Sequence, residues 1–354
     1  MTKLHLLDMT PTELEAWCRD RGLEGYRAGQ LLEWVYRHGA ESFEAMTNLP
    51  KRLRADLAGQ LAIYQSQVTA RRQAEDGTDK LLLTWPDGAA TECVLIPERR
   101  RQTACVSTQV GCPVGCAFCA SGLAGFERNL TAGQIVEQAM RLRAGADEEI
   151  SHVVLMGIGE PLLNYEAVLS AIRTLNAPWG LAIGARRITL STVGLPRQIR
   201  RLAREGLQIN LALSLHAPTD ALRRELVPMA ETVPIAQIVE ATRDYFDETG
   251  REVTLEYVLL GGVNDRQAQA EHLVKIARQI RCNVNLIRYN PVVGLPFRAP
   301  EPDAVTAFAG VLRRGGVNVQ IRASRGGDIE AACGQLRLVR TAQQVAEKRE
   351  DPSA

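Results

Sequence analysis

The segment CVSTQVGCPVGCAFCASGLAGF, residues 105–126, places four of the chain's eight cysteines within fifteen residues. Cys112, Cys116 and Cys119 follow one another with the spacing Cys-x3-Cys-x2-Cys. Clustered cysteines of this kind indicate metal binding by thiolates. The segment begins with a strand-like run, and two glycines keep the turn after it open. We therefore predict a loop that holds a metal group directly after a β-strand.

Two kinds of metal group are compatible with three neighbouring cysteines. A structural zinc ion needs four closed ligands, and no fourth Cys or His stands at a suitable local spacing. Three thiolates that hold a cubane of iron and sulfide leave one iron without a protein ligand, where something small can bind. The spacing favours the iron–sulfur cluster, and zinc remains the alternative.

From residue 103 onward, apolar strand-like runs alternate with amphipathic helical segments. This alternation, with strands that are apolar almost throughout, is typical of a parallel α/β sheet or barrel. The strand–helix units number about six, which is too few for a closed eight-stranded barrel. The predicted fold class is therefore α/β, with an open, partial parallel β/α barrel.

The segments on either side of this alternation define further units. Residues 1–75 are predicted to form a small helical domain, and 76–102 a linking β-hairpin. We assign residues 103–340 to the barrel together with a C-terminal loop that carries Cys333, and residues 341–354 to a polar tail.

Composition and charge limit the classes of function. The 354 residues carry a formal net charge of +1 and 45% hydrophobic residues, as in a soluble globular protein. No apolar run is long enough to span a membrane, and the N terminus lacks the apolar segment of a secretion signal. We expect a cytoplasmic protein whose thiols stay reduced. Basic residues are locally bunched, as at Arg99–Arg101, which permits RNA binding without indicating it.

Small and polar residues stand where the predicted strands end. Gly159 and Glu160 close the second strand, where glycine permits close backbone approach and a carboxylate can meet an ammonium group. The carboxyl ends of parallel strands share one edge of a barrel, and active sites form there. For any single residue, a role in a turn or cap is the alternative. The other candidates for cofactor binding at this edge are Ser191, Ser214, Leu215, His216 and Asn290.

The pattern of motifs resembles the radical S-adenosylmethionine (SAM) superfamily, and within it the RlmN/Cfr group of RNA adenine methyltransferases. The motifs that carry the resemblance are GYRAGQLLEWVY, MTNLPKRLR, CVSTQVGC, FCASG, GFERNLTAGQIVEQ, MGIGEPLLNY, RRITLSTVGL, LQINLALSLHAP, EYVLLGGVND, NLIRYNPV and GGDIEAACGQL. The resemblance implies a 4Fe–4S cluster on Cys112, Cys116 and Cys119. It also implies that SAM binds to the open iron and to residues at the strand ends.

The resemblance further implies a mechanism that uses two SAM molecules per turnover. In this family the cysteine of the ACGQL motif, Cys333 here, accepts a methyl group from the first SAM. A 5′-deoxyadenosyl radical from the second SAM abstracts hydrogen from that S-methyl group, and the methylene radical adds to adenine. Cys105 then resolves the RNA-bound intermediate by forming a disulfide with Cys333, and Glu92 is the proton acceptor. Without the resemblance, these three residues would be interpreted as packing or strand positions.

By the same resemblance, the substrates are an adenosine of 23S ribosomal RNA and the adenosine 3′ of the tRNA anticodon. Methylation at C2 is preferred because GFERNL is more similar to the C2 branch, and Cfr-type C8 methylation is the alternative. An iron–sulfur protein that does not methylate RNA is disfavoured because it needs neither Cys105 nor Cys333. We expect a flavodoxin or ferredoxin as electron donor, a monomer, and no membrane partner.

Overall fold

One ten-stranded sheet joins the N-terminal part of the chain to the barrel. The computed structural model describes residues 3–99, 101–123, 125–146 and 148–336. The order of strands in this sheet follows their order in the chain, from β1 at one edge to β10 at the other. The strands are β1 (Gln67–Gln73), β2 (Asp79–Thr84), β3 (Ala90–Glu98), β4 (Arg101–Cys105), β5 (His152–Leu155), β6 (Ile188–Thr192), β7 (Asn210–Ser214), β8 (Val253–Leu259), β9 (Cys282–Arg288) and β10 (Val319–Arg322).

Strands β4 to β10 run parallel, and each connection between neighbours carries at least one helix. In the described part of the chain, β1 and β10 do not pair with each other, so the barrel is open. This arrangement confirms the predicted partial β/α barrel. The helices are α1 (Pro11–Arg19), α2 (Tyr26–Tyr36), α3 (Lys51–Gln60), α4 (Ala120–Leu123), α5 (Ala132–Ala144), α6 (Tyr165–Asn176), α7 (Pro196–Ala203), α8 (Asp220–Leu226), α9 (Ile235–Thr249), α10 (Gln267–Ala277) and α11 (Pro302–Arg314).

The helices cover the sheet with apolar stripes that the sequence encodes. In α6, Val168, Leu169, Ile172 and Leu175 are buried at helical spacing, and they contribute to the main core. Strand β8 is buried at nearly every position, as expected for a strand covered on both faces. The core therefore fixes the strand ends, where the candidate site residues lie.

The N-terminal region differs from the prediction at its end. The three predicted helices are present as α1, α2 and α3, but Gln67–Gln73 forms the edge strand β1 instead of part of a helical region 1–75. Every residue of β1 is exposed, so no periodic apolar pattern marks it as a strand. Pairing with β2 of the hairpin orders it. The predicted tail, 341–354, lies outside the described residues, and the domain boundaries remain predictions.

A buried charge cluster joins the N-terminal region to α5. The Nε2 atom of His5 lies 3.2 Å from a carboxylate oxygen of Glu137, and its Nδ1 atom lies 3.5 Å from one of Asp8. Glu137 also accepts hydrogen bonds from the backbone amides of Gln65 and Ser66, at 2.9 and 2.8 Å. Burial alone would lower the pKa of His5, but the two carboxylates raise it to about 8.

We predict that this cluster makes stability depend on pH. Because the pKa of His5 is raised from 6.5 to about 8, protonated His5 stabilises the fold fully below pH 6.5. This contribution, about 2 kcal/mol, is lost as the pH rises through 8. When the pH is raised from 6 to 9, the Tm measured in thermal melts should therefore fall less for His5→Gln than for wild type. His272→Gln, at an exposed position, should behave as wild type, and an equal loss in His5→Gln would contradict the prediction.

Candidate active site at the carboxyl edge of the barrel

A cavity of about 170 Å³ opens at the carboxyl ends of the parallel strands. It has room for roughly ten or more water molecules, so it is a site for a ligand and not a packing void. Every predicted site residue lines it except Glu92, Leu215 and Asn290. The predicted residues in its wall are Cys105, Cys112, Cys116, Cys119, Gly159, Glu160, Ser191, Ser214, His216 and Cys333.

A short antiparallel ladder holds the loop with the three clustered cysteines. Residues Gln109–Gly111 pair with Phe126–Asn129, and the amide of Cys112 donates to the carbonyl of Gly125 at 2.9 Å. Gly111 has a φ of 73°, and a Cβ there would lie 2.0 Å from the Gly125 oxygen. Only glycine fits this position. The ladder thus closes the loop and directs its cysteines to the cavity.

Cys112, Cys116 and Cys119 are half-buried and line the same cavity. Burial raises the pKa of all three thiols, for Cys112 to about 12. A bound cationic metal group is what would turn them into thiolates at neutral pH. Among the residues described, no three His, Cys, Asp or Glu side chains surround a point that one metal ion could occupy. A cubane gives each cysteine its own iron, so its ligands need not surround one point.

Glu160 faces the cavity as a buried carboxylate beyond the end of β5. It is 2% exposed and accepts hydrogen bonds from the amides of Leu162 and Val193, at 3.0 and 2.8 Å. Burial raises the pKa of Glu160 to about 7, and a cationic ligand would restore its full negative charge. Gly159 has a φ of 111°, and a Cβ there would lie 2.7 Å from the Cβ of Gln109. These residues suit a ligand that carries an ammonium group.

The next two strands contribute hydroxyl and imidazole groups. The Oγ atoms of Ser191 and Ser214 lie 3.2 Å apart. His216 adopts a left-handed φ of 58°, and its Nδ1 accepts a hydrogen bond from the amide of Val258 at 3.2 Å. Its proton is therefore on Nε2. Burial and the charge of Arg223 lower the pKa of His216 to about 3, so it is neutral at physiological pH.

The loop that carries Cys333 forms hydrogen bonds with the segment that follows the cluster cysteines. The amide of Ala120 donates to the carbonyl of Gly334 at 2.8 Å, and the hydroxyl of Ser121 donates to the carbonyl of Leu336 at 2.6 Å. Ala120 and Ser121 follow the last of the cluster cysteines in sequence. The two motifs therefore share one wall of the cavity.

Cys105 lies against the same loop. At the end of β4 it packs with Ala331 and Leu336, on either side of Cys333. Burial raises the pKa of Cys105 to about 12, and the nearby Cys333 adds to this rise. All eight cysteines are unpaired in the structure, so no disulfide joins Cys105 to Cys333; the resemblance implied that disulfide as a step of the reaction. Both residues line the cavity.

Three predicted residues lie outside the cavity wall. Leu215 is buried in the main core, and Asn290 is hydrogen-bonded to a serine of the loop after β10. Glu92, which is buried, pairs with the Nζ atom of Lys80 at 2.9 Å. Lys80 also donates to the carbonyl of Glu330 at 3.0 Å. Glu92 is thus connected to the Cys333 loop through Lys80.

Other polar residues of the cavity were not predicted from the sequence. Glu256 on β8 is 4% exposed, and its Oε2 atom has no hydrogen-bond partner among the described residues. Arg322 ends β10, and the hydroxyl of the buried Tyr289 also lacks a partner within the described part of the chain. Glu256 and Tyr289 stand in the motifs EYVLLGGVND and NLIRYNPV, but they were not among the predicted site residues, and Arg322 belongs to no quoted motif. The one signal in the sequence was that Glu256 is a single acid within an otherwise apolar strand.

Comparison with known proteins agrees with this geometry. Residues 106–274 match the model of the Radical SAM superfamily, and residues 4–63 match the "Ribosomal RNA large subunit methyltransferase N-terminal domain". A solved radical SAM methyltransferase from Sphaerobacter thermophilus superposes with a TM-score of 0.92 at 47% identity, covering 94% of this chain and 99% of that one. The fold and the cysteine loop thus define a radical SAM enzyme.

Curated relatives narrow this class further. A Rhodopirellula baltica protein named "Probable dual-specificity RNA methyltransferase RlmN" is 48% identical over 337 residues, which cover 95% of this chain and 91% of the relative. A Thermus thermophilus protein of the same name is 47% identical over 336 residues, which cover 94% and 93%. The chain belongs to the RlmN family of radical SAM RNA methyltransferases. Its described helices include none that is long and apolar enough to cross a membrane.

We predict that Glu160→Gln weakens SAM binding roughly 10- to 100-fold, because a neutral amide loses the charge-assisted bond to an ammonium group. Calorimetric titration of the anaerobically reconstituted protein measures the affinity. Glu166→Gln should bind SAM as wild type does, since the Glu166 carboxylate is 77% exposed. Equal affinity in Glu160→Gln and wild type would rule out this role for Glu160.

Proposed function

We propose that the protein methylates C2 of an adenosine in 23S ribosomal RNA and of the adenosine 3′ of the tRNA anticodon. The observation that supports this most is the presence of two further thiols, Cys105 and Cys333, in the cavity that the three cluster cysteines line. Radical chemistry that only abstracts hydrogen needs neither thiol. The dual-specificity RNA methyltransferases among the relatives supply the substrate class.

The residues of the cavity wall fit the cofactors of this reaction. When bound, a 4Fe–4S cluster and two SAM molecules per turnover supply a methyl group and a 5′-deoxyadenosyl radical. The fit rests on the thiol chemistry of the loop, on the buried Glu160 carboxylate and on the close backbone approach at Gly159. The proposed cluster ligands are Cys112, Cys116 and Cys119, and the proposed SAM-binding residues are Gly159, Glu160, Ser191, Ser214 and His216.

Cys333 is the proposed methyl acceptor. Adenine C2 is an electron-poor carbon that does not attack the methyl group of SAM, so a sulfur carrier is what this methylation requires. A thiol accepts a methyl group as its thiolate. Although the residue is exposed, the surrounding cavity wall shields the thiol of Cys333 and raises its pKa, whereas the Arg322 guanidinium in the same cavity opposes this rise. Arg322 thus favours the reactive form of Cys333.

Cys105 and Glu92 are proposed to complete the reaction. Cys105 packs with Ala331 and Leu336, which flank Cys333 in sequence. It is the thiol that attacks the sulfur of Cys333, so that a Cys105–Cys333 disulfide forms while the bond from that sulfur to the RNA-bound carbon breaks. Glu92 is the proton acceptor, and its partner Lys80 holds it next to the backbone of Glu330 in the same loop. Release leaves the adenosine with one added methyl group.

The electron donor, the oligomeric state, the cellular location and the RNA contacts of the protein remain predictions. A flavodoxin or ferredoxin is the expected electron donor, and the protein is expected to act as a monomer in the cytoplasm. Arg99–Arg101 are expected to contact RNA phosphates, and Arg100 lies outside the described residues. Arg99 and Arg101 are both exposed, which is compatible with such a contact.

Analysis of the product tests the proposed function. The reconstituted protein, methyl-labelled SAM, a reductant and unmodified 23S RNA fragment or tRNA should react anaerobically to give labelled 2-methyladenosine. Digestion to nucleosides and mass spectrometry against standards identifies the carbon. Label in 8-methyladenosine would replace the C2 assignment by the Cfr-type reaction, and no labelled adenosine would refute the substrate class.

We predict that Cys105→Ala accumulates a covalent adduct between Cys333 and RNA, because this variant lacks the thiol that releases the RNA from Cys333. Denaturing electrophoresis with labelled RNA should show the adduct in Cys105→Ala and none in a Cys105→Ala, Cys333→Ala double variant. Cys282→Ala, at a half-buried cysteine that does not line the cavity, should turn over without an adduct. Turnover by Cys105→Ala at the wild-type rate would exclude the proposed role.

A further inference from the structure

Arg223 is a fully buried arginine behind the cavity wall. It lies on α8, is 1% exposed and donates hydrogen bonds to two backbone carbonyls, from Nε to Leu215 at 3.2 Å and from a terminal nitrogen to Val193. Among the residues described, no Asp or Glu forms an ion pair with it. The carboxylate of Asp220, on the same helix, instead accepts a hydrogen bond from the amide of Ile235 at 2.7 Å.

A buried charge without an opposite charge is costly. Carbonyl oxygens satisfy two donors of the guanidinium but carry no full negative charge, and Asp220, whose charge acts on Arg223, forms no ion pair with it. Arginine stays protonated in proteins, so the charge cannot be removed by titration. A further negative charge near Arg223 would therefore stabilise the buried guanidinium.

The three clustered cysteines can provide that negative charge. The loop that carries them rests on α8, because the amide of Ala117 donates to the carbonyl of Leu226 at 2.9 Å. Val114 and Phe118 of the loop pack in one cluster with Leu226, and Cys116 contacts this cluster. Arg223 stands three residues before Leu226 on α8, so the cysteine loop touches the helix within one turn of Arg223.

We propose that Arg223 is the fixed counter-charge of the iron–sulfur cluster and raises its reduction potential. Three thiolates on a 4Fe–4S core of charge +2 give a net charge of −1, and one electron from an external reductant, with no proton, gives −2. A fixed positive charge nearby stabilises the more negative state more. The inference rests on the proposed assignment of the cluster to Cys112, Cys116 and Cys119.

Arg223 also connects the cysteine loop to the strand ends. The carbonyl of Val193 accepts from Arg223, while the amide of the same residue donates to Glu160 at 2.8 Å. Loss of the side chain therefore changes two things, the charge and the position of this backbone segment. A test has to separate them.

The test compares Arg223→Met, Arg223→Lys and the control Arg224→Met, which removes the same charge at the next, exposed position. Each anaerobically reconstituted protein is assayed for iron and sulfide, and its midpoint potential is measured by a redox titration monitored by electron paramagnetic resonance. We expect a midpoint potential below that of wild type in Arg223→Met. Arg223→Lys should stay close to wild type because it keeps the charge, and Arg224→Met should not change.

The variants separate the charge of Arg223 from its hydrogen bonds. An Arg223→Met protein with full iron content and the wild-type potential overturns the inference. If Arg223→Met does not retain iron, Arg223→Gln decides, because it removes the charge and keeps an amide donor for a carbonyl. A lowered potential in Arg223→Gln then supports the counter-charge, and the wild-type potential overturns it. A wild-type protein that binds no cluster would instead contradict the proposed function itself.

Discussion

Two hydrogen bonds, from Ala120 to Gly334 and from Ser121 to Leu336, join loops that are 215 residues apart at the second contact. They place the cluster cysteines and Cys333 in one cavity wall, and the chemistry requires both groups there. Lys80 provides a further bond, from the hairpin to the same loop. The ten-stranded sheet supports this junction, because the hairpin strands, the strand before the cysteine loop and the last strand all belong to it.

Electrostatic balance is the second constraint on the site. The half-buried cluster thiols and the buried Glu160 reach their charged forms with difficulty, since burial raises the pKa of each. The positive groups of the site, Arg322 in the cavity wall and Arg223 behind it, are permanently charged. His216 stays neutral because burial lowers its pKa to about 3. The charges of the cavity wall therefore suit a cationic ligand and a cationic metal group, which would stabilise the ionised thiols and the ionised Glu160.

The sequence predicts local features of this site well and long-range ones poorly. The spacing of the clustered cysteines and the strand-end position of Glu160 are local, and the cavity contains both. Glu256 stands in a quoted motif without being recognised as a site residue, and Arg223 belongs to no quoted motif; the packing of β8 and α8 places Glu256 in the cavity wall and Arg223 behind it. The edge strand β1 was missed because every one of its residues is exposed. Asn290 was expected in the wall because it ends a strand, but a hydrogen bond to the following loop holds it elsewhere.

The central claim is that Cys333 and the cluster loop act in one cavity. Its most direct test is the mass of cysteine peptides after anaerobic incubation of the reconstituted protein with SAM and reductant, without RNA. The account predicts one added methyl group on the peptide of Cys333, none on the peptide of Cys282, and loss of the modification in Cys119→Ala. An unmodified Cys333 in protein with a full cluster and bound SAM, or a methyl group on another cysteine, would contradict the account.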